Sequence, residues 1–435
     1  MKYLKDAIWR IRSLGWFGLV WRLAVLSLPW QTRWFHEAKL AGWPWEQGSS
    51  AFYVSWIPLI FAVVLGFIGL KEDPPKDEKK KKWIPWLWVS SAVLLCLSVM
   101  RSVSFEASAQ WCIQAGVLCV FVYVLHKRNI AAKTLATWLS IAILPHALLA
   151  YMQFAVQRVD SWSWLGIAFQ SPKQLGVSVV EFADMRYLRA YGGMPHPNIL
   201  GGWLAMGTIV AVWSAWRSAT KRRALAFAAA AAVFSGALVL TFSRSAFLAT
   251  AVGCAALMIL FFVKRREKKT ELQFGLMALV CAAVFAAILG FSQREVLLAR
   301  TQDQSRLEVK SSVSRTQSLK DGWEVFKRRW ILGSGPNAEL KDLAMIKFGN
   351  EGKQSSEPLE SPHNSFFLLV VDFGVVGGLI VLWAVFLARR KLLRRWYFIL
   401  PLSVLAWFDH YLWSYWSGMV LLAVILSLAA VPDTD

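Results

Sequence analysis

The chain has 435 residues, of which 57% are hydrophobic and only 17% are charged. Its mean hydropathy of +0.44 is typical of a polytopic membrane protein and excludes an ordinary soluble domain. The formal net charge is +21, and its distribution along the chain indicates membrane topology and anionic lipid headgroups, with no nucleic acid partner. All five cysteines lie in apolar segments, so neither a disulfide framework nor a metal-binding cysteine set is predicted.

About twelve apolar segments are candidates for membrane helices. In chain order they lie at about 14–30, 52–70, 83–100, 111–125, 134–156, 197–216, 224–241, 245–263, 272–291, 363–388, 396–409 and 416–432. The first contains Arg22 and is not followed by a small-residue cleavage site, so we expect it to remain as an anchor. The sequence therefore predicts an all-α integral membrane protein with about twelve transmembrane helices.

Alternate gaps between these segments are strongly basic. They are the N-terminus and residues 71–82, 126–133, 217–223, 264–269 and 389–395, and together they hold 27 of the 48 lysines and arginines. By the positive-inside rule, these gaps and both termini lie in the cytoplasm. The other gaps are then on the outer face, at 31–51, 101–110, 157–196, near Arg244, at 292–362 and at 410–415.

Four regions follow from this pattern. They are residues 1–156 with transmembrane helices 1–5, 157–291 with the outer loop 157–196 and a hairpin at Arg244, 292–362 as a large outer loop domain, and 363–435 with the C-terminal transmembrane helices. The large loop has 12 basic and 10 acidic residues, which indicates folded polar structure. Apolar residues recur in it at helical spacing from Leu319 to Trp330, which predicts a helix over 314–331.

Arg244 is the single charged residue in a mostly apolar stretch of about forty residues, 224–263. Such a stretch allows two membrane crossings of about twenty residues each, so Arg244 is predicted at the tip of a tight helical hairpin. An unpaired arginine at mid-bilayer costs at least about 3 kcal/mol on insertion scales, which favours a tip at the membrane surface or in a polar cavity. This placement makes Arg244 a candidate functional residue.

Three further arginines are predicted on the same membrane face. Arg186 and Arg189 precede a helix that starts near Pro197, and they would share a face if their own short segment were helical. The alternative for this segment is a loop and helix cap without function. Arg315 is predicted in the first turn of the loop helix, where backbone N–H groups favour an anion, and the alternative for it is a solvated charge.

His363 opens the tenth apolar segment at the outer face. It is a candidate because of the arginines on that face, and the alternative is an interfacial anchor. Asp372 follows nine residues later, which places it on the opposite helix face. We therefore expect Asp372 to pair with a neighbouring helix rather than to orient His363.

Arginines and a histidine on one face suit the chemistry of a pyrophosphate leaving group. A guanidinium group can bind two phosphate oxygens at once in a bidentate contact. Such groups also stabilise the negative charge that develops as the pyrophosphate leaves. A histidine can take the proton of an attacking hydroxyl. The first outer loop offers only Glu37 and Glu46 and no Asp-x-Asp pair, so neither a metal nor another cofactor is expected.

Several motifs together resemble the O-antigen ligase and O-antigen polymerase superfamily. They are Arg189 through Asn198, the Thr-x-Ser-Arg at 241–244, the Gly-x-Gly turn after Arg315, the Ser-Pro-His-Asn at 361–364 and Gly374. The likeness covers about 185–415, and the tip Asp409-His410-Tyr411 also looks like a family feature, without an assigned role.

The resemblance implies a GT-C type membrane glycosyltransferase that is metal-independent and inverting and uses a polyprenyl-pyrophosphate-linked glycan. By position, Arg189, Arg244 and Arg315 would engage the donor pyrophosphate, with Arg186 as a competing candidate for Arg189. His363 would activate or position the acceptor hydroxyl, so that His363 and Arg244 are the predicted catalytic residues. The expected location is the bacterial cytoplasmic (inner) membrane, with the active site on the outer face.

Family members act as ligases on lipid A-core, as polysaccharide polymerases or as protein O-oligosaccharyltransferases, and a ligase is favoured here. All three share the donor site, so acceptor recognition is expected in 316–362 and 157–184, where Trp162 and Trp164 could stack on sugars. The competing class is a transporter or lipid-glycan flippase. The sequence shows no clear internal repeat, and Asp372 is the only acidic residue well inside a segment, which disfavours ion-coupled transport.

Overall fold

The computed structural model describes residues 2–68, 84–264, 269–301, 306–349 and 354–431. The described residues form sixteen α-helices. These are α1 Lys2–Ser27, α2 Trp56–Ile68, α3 Ile84–Met100, α4 Phe105–Lys127, α5 Ala132–Val156, α6 Pro197–Trp216, α7 Lys221–Val239, α8 Arg244–Lys264, α9 Lys269–Ser292, α10 Arg294–Thr301, α11 Arg306–Arg328, α12 Glu339–Phe348, α13 Ser365–Arg394, α14 Trp396–Phe408, α15 Tyr411–Ser414 and α16 Trp416–Ala430. The predicted basic gap 71–82 and most of the gap 264–269 lie outside the described residues.

The helices agree with the predicted all-α membrane architecture. Within the described ranges, seven helices are long and apolar enough to cross a membrane by length and composition, and five shorter apolar helices accompany them. Each of the twelve predicted apolar segments coincides with one of these helices. The count of twelve crossings and the GT-C assignment remain predictions.

The loops predicted on the outer face also contain short strands, which the sequence did not indicate. In the part of the chain that the structure describes, three two-stranded antiparallel sheets are formed, each by neighbouring parts of one loop. The pairs are β1 Arg33–His36 with β4 Ser50–Tyr53, β2 Lys39–Leu40 with β3 Trp43–Pro44, and β5 Val179–Phe182 with β6 Met185–Leu188. The first loop also reaches the distant large loop, because Trp43 Nε1 donates to the Ser355 carbonyl oxygen at 2.9 Å.

Helix α6 forms the centre of the molecule, and all twenty of its residues are buried. It packs against α5, α7, α8 and α9. Glycine is needed on the face toward α15, because a Cβ at Gly202 would overlap the Tyr411 hydroxyl. This close packing fixes the N-terminus of α6, where Asn198 lies, beside the connection between α14 and α15.

Helix α13 is broken at Gly374, whose φ of 65° is non-helical. The turn after α11 fills the break: Ser334 N donates to the Val371 carbonyl oxygen at 3.1 Å and Val375 N donates to the Trp330 carbonyl oxygen at 2.8 Å. A Cβ at Gly374 would overlap the Ile331 backbone, so glycine is required there. The break therefore fixes α11, which carries Arg315, against the helix that follows His363.

The prediction for the helix in the large loop was wrong, and the condition set for Arg186 and Arg189 is not met. The loop helix runs from Arg306 to Arg328 instead of 314–331, so Arg315 lies in its third turn and the argument from a helix N-terminus does not apply to it. The segment with Arg186 is a strand and not a helix. Because side chains alternate along a strand, residues three apart do not share a face, so Arg186 and Arg189 are separated.

Candidate functional site

A buried chain of polar contacts connects the loop before α6 with the loop after α14. Arg189 Nη2 donates to Asn198 Oδ1 at 2.6 Å, and Asn198 Nδ2 donates to Asp409 Oδ2 at 3.0 Å. Arg189 Nε also donates to the Thr241 carbonyl oxygen at 2.8 Å, in the turn before α8. Arg189, Asn198 and Asp409 are each at least nine-tenths buried. Such a paired and shielded set holds its members in fixed positions.

His363 lies between two carboxylates, next to Asp409 at the end of this series of polar contacts. Its Nδ1 is 3.7 Å from Asp409 Oδ1, and its Nε2 is 3.6 Å from Glu360 Oε2. Each carboxylate is held in turn: His410 N donates to Asp409 Oδ1 at 2.8 Å, and the Ser314 hydroxyl on α11 donates to Glu360. His363 therefore has acidic partners on both ring nitrogens.

These partners decide the charge of His363. Burial lowers its pKa, but the closeness of Asp409 and Glu360 more than offsets burial and raises the pKa to about 9. Burial also acts to raise the pKa of Asp409, yet the neighbouring His363 holds it well below its usual range. At neutral pH the site therefore contains an imidazolium and a carboxylate.

Asp372 does not belong to this cluster. Its Oδ2 accepts a hydrogen bond from Trp413 Nε1 at 2.7 Å and one from Asn337 N at 3.3 Å. The prediction that Asp372 pairs with a neighbouring helix and does not orient His363 is confirmed, because Trp413 lies on α15.

Three arginines from three helices surround a cavity of about 260 Å³, which we call the arginine cavity. They are Arg244 at the start of α8, Arg300 on α10 and Arg315 on α11. Asn198, Ser243, Ser245, Leu248 and Phe408 complete its lining. Burial lowers the pKa of the adjacent Arg189 to about 10, and the positive charges of Arg315 and Arg244 contribute. Arg189 still carries its charge at neutral pH, so the region is strongly electropositive.

A larger cavity of about 570 Å³ lies on the other side of Asn198, and we call it the histidine cavity. Its polar lining comes from five parts of the chain and includes Arg33, Glu37, Glu46, His196, Asn198, Glu360, His363, Asp409, His410 and Tyr415. Asn198 lines both cavities. The strand β1 and the residues after it thus reach this site from the N-terminal part of the chain, whereas Trp162 and Trp164 line neither cavity.

One group of side chains has a spacing that a metal ion could bridge. Ligand atoms of His363, Asp409 and His410 lie within 4.8 Å of one another. His410 Nδ1 already shares a 2.6 Å hydrogen bond with the Ser414 hydroxyl. A metal would also require His363 to lose its proton, which its raised pKa opposes near neutral pH. The metal-free reaction therefore stays a prediction.

The structure brings four of the five predicted residues around Asn198. Arg189 contacts it directly, Arg244 and Arg315 line the arginine cavity, and His363 lines the histidine cavity. Arg186 lines neither cavity, and its Nε is 3.9 Å from Glu181 Oε1 on the paired strand β5.

The sequence reasoning missed Arg300, Glu360 and any role for Asn198 and Asp409. Arg300 is one of 12 basic residues in its loop and has no apolar context to distinguish it. Asn198 and Asp409 stood within motifs, but their partnership spans 211 residues and left no local signal.

Part of the sequence matches a known protein family. An O-antigen ligase family model matches residues 229–382, which include Arg244, Arg300, Arg315 and His363. No curated protein matches the chain. The matched family comprises glycosyltransferase-like enzymes of O-antigen and related glycan pathways, with lipid-linked glycans and acceptors as general partners. Residues 229–382 therefore resemble the O-antigen ligase family, and over this part of the chain the match supports the predicted likeness to the O-antigen ligase-like superfamily.

Proposed function

We propose that this protein transfers a glycan from a polyprenyl-pyrophosphate donor to an acceptor hydroxyl at the outer face of the bacterial cytoplasmic membrane. The favoured acceptor is lipid A-core, which makes the protein an O-antigen ligase. One observation carries the proposal: Asn198 lines both an arginine cavity and a histidine cavity, and it bonds to Arg189 and Asp409. The arginine cavity, which suits phosphate binding, thus adjoins the histidine cavity, which suits acid–base chemistry.

The arginine cavity suits the donor pyrophosphate. In the reaction the acceptor oxygen attacks the anomeric carbon, and the bond from that carbon to the pyrophosphate oxygen breaks with its electron pair on the oxygen. Negative charge grows on the pyrophosphate as it leaves, and fixed guanidinium groups stabilise that growing charge. We assign Arg244, Arg315 and the newly identified Arg300 to this role. Arg189 supports them and holds Asn198 in place.

The histidine cavity suits the acceptor. His363 takes the hydroxyl proton as attack proceeds on the face opposite the leaving group, and Asp409 stabilises the resulting imidazolium. Because the pKa of His363 is raised to about 9, only its deprotonated fraction can act as the base. Reaching that fraction at pH 7 costs roughly 3 kcal/mol. The reaction should therefore accelerate in alkaline solution.

Acceptor identity separates the members of the family. A polymerase and a protein O-oligosaccharyltransferase would use the same arginines, so these remain the alternatives. The test is incubation of purified protein in lipid with a polyprenyl-pyrophosphate oligosaccharide, with and without lipid A-core, and product sizing on a gel. Product only with lipid A-core supports the ligase, and a ladder without it indicates the polymerase. The absence of product in both incubations contradicts the ligase and the polymerase alike.

A transporter or lipid-glycan flippase is the second candidate, because broken helices are common in transporters and α13 is broken at Gly374. Here the break is filled by backbone from 330–335, and Asp372 beside it is hydrogen-bonded to Trp413. Both features support a structural role for the break. Ion-dependent movement of the lipid-linked glycan across vesicles, without glycan transfer, would favour transport instead.

A further inference from the structure

A third cavity, of about 600 Å³, lies at the other end of α6 from Asn198. It is formed by the first turns of α5, the last turn of α6 with the loop after it, and the first turns of α7. The twenty residues of α6 span about 30 Å, so this cavity is separate from the site described above. We call it the basic cavity. By the positive-inside rule it opens on the cytoplasmic side.

The polar lining of the basic cavity favours an anion. It contains Lys133, Arg217 and Arg223 and hydroxyls from Thr134, Thr137, Ser140, Ser214 and Ser218. The described residues that line it include no acidic side chain. In addition, the N-termini of α5 and α7 line it, and the positive ends of these two helix dipoles outnumber the negative end of the α6 dipole.

The rest of the lining is apolar and continues onto exposed side chains of α5, which is long and apolar enough to cross a membrane. Ile141 and Leu144 on α5 are 44% and 37% exposed, and Phe227 and Ala230 face the cavity from α7. Trp138 adds an aromatic wall, and the guanidinium of Arg22 lies 5.5 Å from its ring centroid. A free phosphate would leave this apolar wall uncovered. A lipid acyl chain would cover it.

We propose that the basic cavity binds an anionic phospholipid, with the headgroup phosphate among Lys133, Arg217 and Arg223 and an acyl chain along Ile141 and Leu144. A basic pocket between membrane helices on the cytoplasmic side is the kind of site that anionic headgroups occupy. The bound lipid would bridge α5, α6 and α7. It would thereby stabilise the helix that carries Asn198 at its far end, as a ligand of the folded state does.

The test uses the purified full-length protein in a neutral detergent. Lipid binding is measured by native mass spectrometry and by the shift in Tm with added phosphatidylglycerol, phosphatidylcholine or inorganic phosphate. The variant is the pair Lys133→Gln and Arg223→Gln. The matched control is Lys221→Gln and Arg222→Gln, which removes the same charge from the same end of the protein but from residues that do not line the cavity.

The proposal predicts that phosphatidylglycerol binds and raises Tm, and that the cavity variant binds it about thirtyfold more weakly, because two cations are lost and each cation near a headgroup is worth about 1 kcal/mol. The control should bind like the unaltered protein. Equal binding by both variants, equal binding of phosphatidylcholine, or the same Tm shift with inorganic phosphate alone would each overturn it.

Discussion

Asn198 donates to Asp409 at 3.0 Å while its carbonyl oxygen accepts from Arg189 at 2.6 Å, so a single amide joins the electropositive and the acid–base halves of the site. The amide can serve both neighbours because it presents an acceptor to the guanidinium and a donor to the carboxylate. Glutamine is the only other side chain that carries an amide, and it is longer. The relationship gives the site its geometry and underlies several of the predictions below.

Replacement of Asn198 should separate the two halves. Asn198→Ala leaves Arg189 and Asp409 buried with one partner fewer each, and each lost partner costs about 1–3 kcal/mol. We expect a lower Tm and a large loss of transfer. Asn198→Asp keeps the shape and the acceptor for Arg189 but places a carboxylate against Asp409. Near-normal transfer by Asn198→Asp would argue against the proposed role of Asn198 in joining the two halves of the site.

Arg244→Ala should abolish transfer without unfolding the protein. Removing a fixed donor from a developing negative charge typically costs about 10²–10³ in rate. Arg244→Lys should retain little activity, because a point charge does not reproduce the guanidinium fork. The measurement is the transfer rate together with Tm. Turnover of the alanine variant close to that of the unaltered protein would contradict this assignment.

Arg300 should be as important as the arginines that the sequence singled out. Arg300→Ala is expected to slow transfer by about tenfold or more, since it removes one charge-assisted contact to the pyrophosphate. Arg294→Ala on the same helix α10 is the control, because Arg294 is exposed and lies over the Phe291 ring outside the arginine cavity. Equal rates for the two variants would remove Arg300 from the donor site.

The transfer rate should rise with pH, pass through an inflection near pH 9 and level off above it, because the base must be deprotonated and the pKa of His363 is raised to about 9. Asp409→Asn removes a group that raises this pKa, so the inflection should move to lower pH. A rate that falls above pH 9 would indicate instead that the imidazolium form is the active one.

The same pKa predicts the pH dependence of stability. A pKa raised from 6.5 in the folded state stabilises the protein fully below about pH 6.5 and loses that contribution as pH rises through about 9. Tm of the unaltered protein should therefore fall over this interval by more than Tm of His363→Gln. Parallel curves for the two proteins would show that His363 keeps its ordinary pKa.

Chelators should not change the transfer rate, because the proposed mechanism uses arginines where a metal would otherwise neutralise the pyrophosphate. Ligand atoms of His363, Asp409 and His410 lie within 4.8 Å of one another. A metal could bridge them, so the chelator experiment can contradict the proposed mechanism. Activity lost on chelation and restored by Mg²⁺ or Mn²⁺ would require a metal in the reaction.

Much of the fold was predictable because apolar segments and basic gaps are local signals. Arg244 stood out for the same reason, as one charge within a long apolar stretch, and His363 was marked by the start of a helix. The bounds of α11 could not be read from its apolar stripe, because polar residues from Arg306 extend the helix without adding to that stripe. Arg315 was therefore chosen partly for a wrong reason.

The rest of the site depends on contacts between distant parts of the chain. Strand β1 contributes Arg33 to the histidine cavity. It does so because the loop that contains β1 folds against residues 354–361, where Ser355 N donates to the Ala41 carbonyl oxygen at 3.0 Å. Arg186 and Arg189 could share a face only if their segment were helical, and the pairing of β5 with β6 excludes that helix. Neither feature has a periodic pattern in the sequence that would reveal it.

The most direct test of the central claim is to follow both products of one reaction. Purified protein in lipid would receive the polyprenyl-pyrophosphate glycan and acceptor, and released polyprenyl pyrophosphate would be counted against glycan transferred. The account predicts a one-to-one ratio for the unaltered protein and neither product for Arg244→Ala or His363→Ala. Transfer without release of polyprenyl pyrophosphate, or normal yields from both variants, would contradict it.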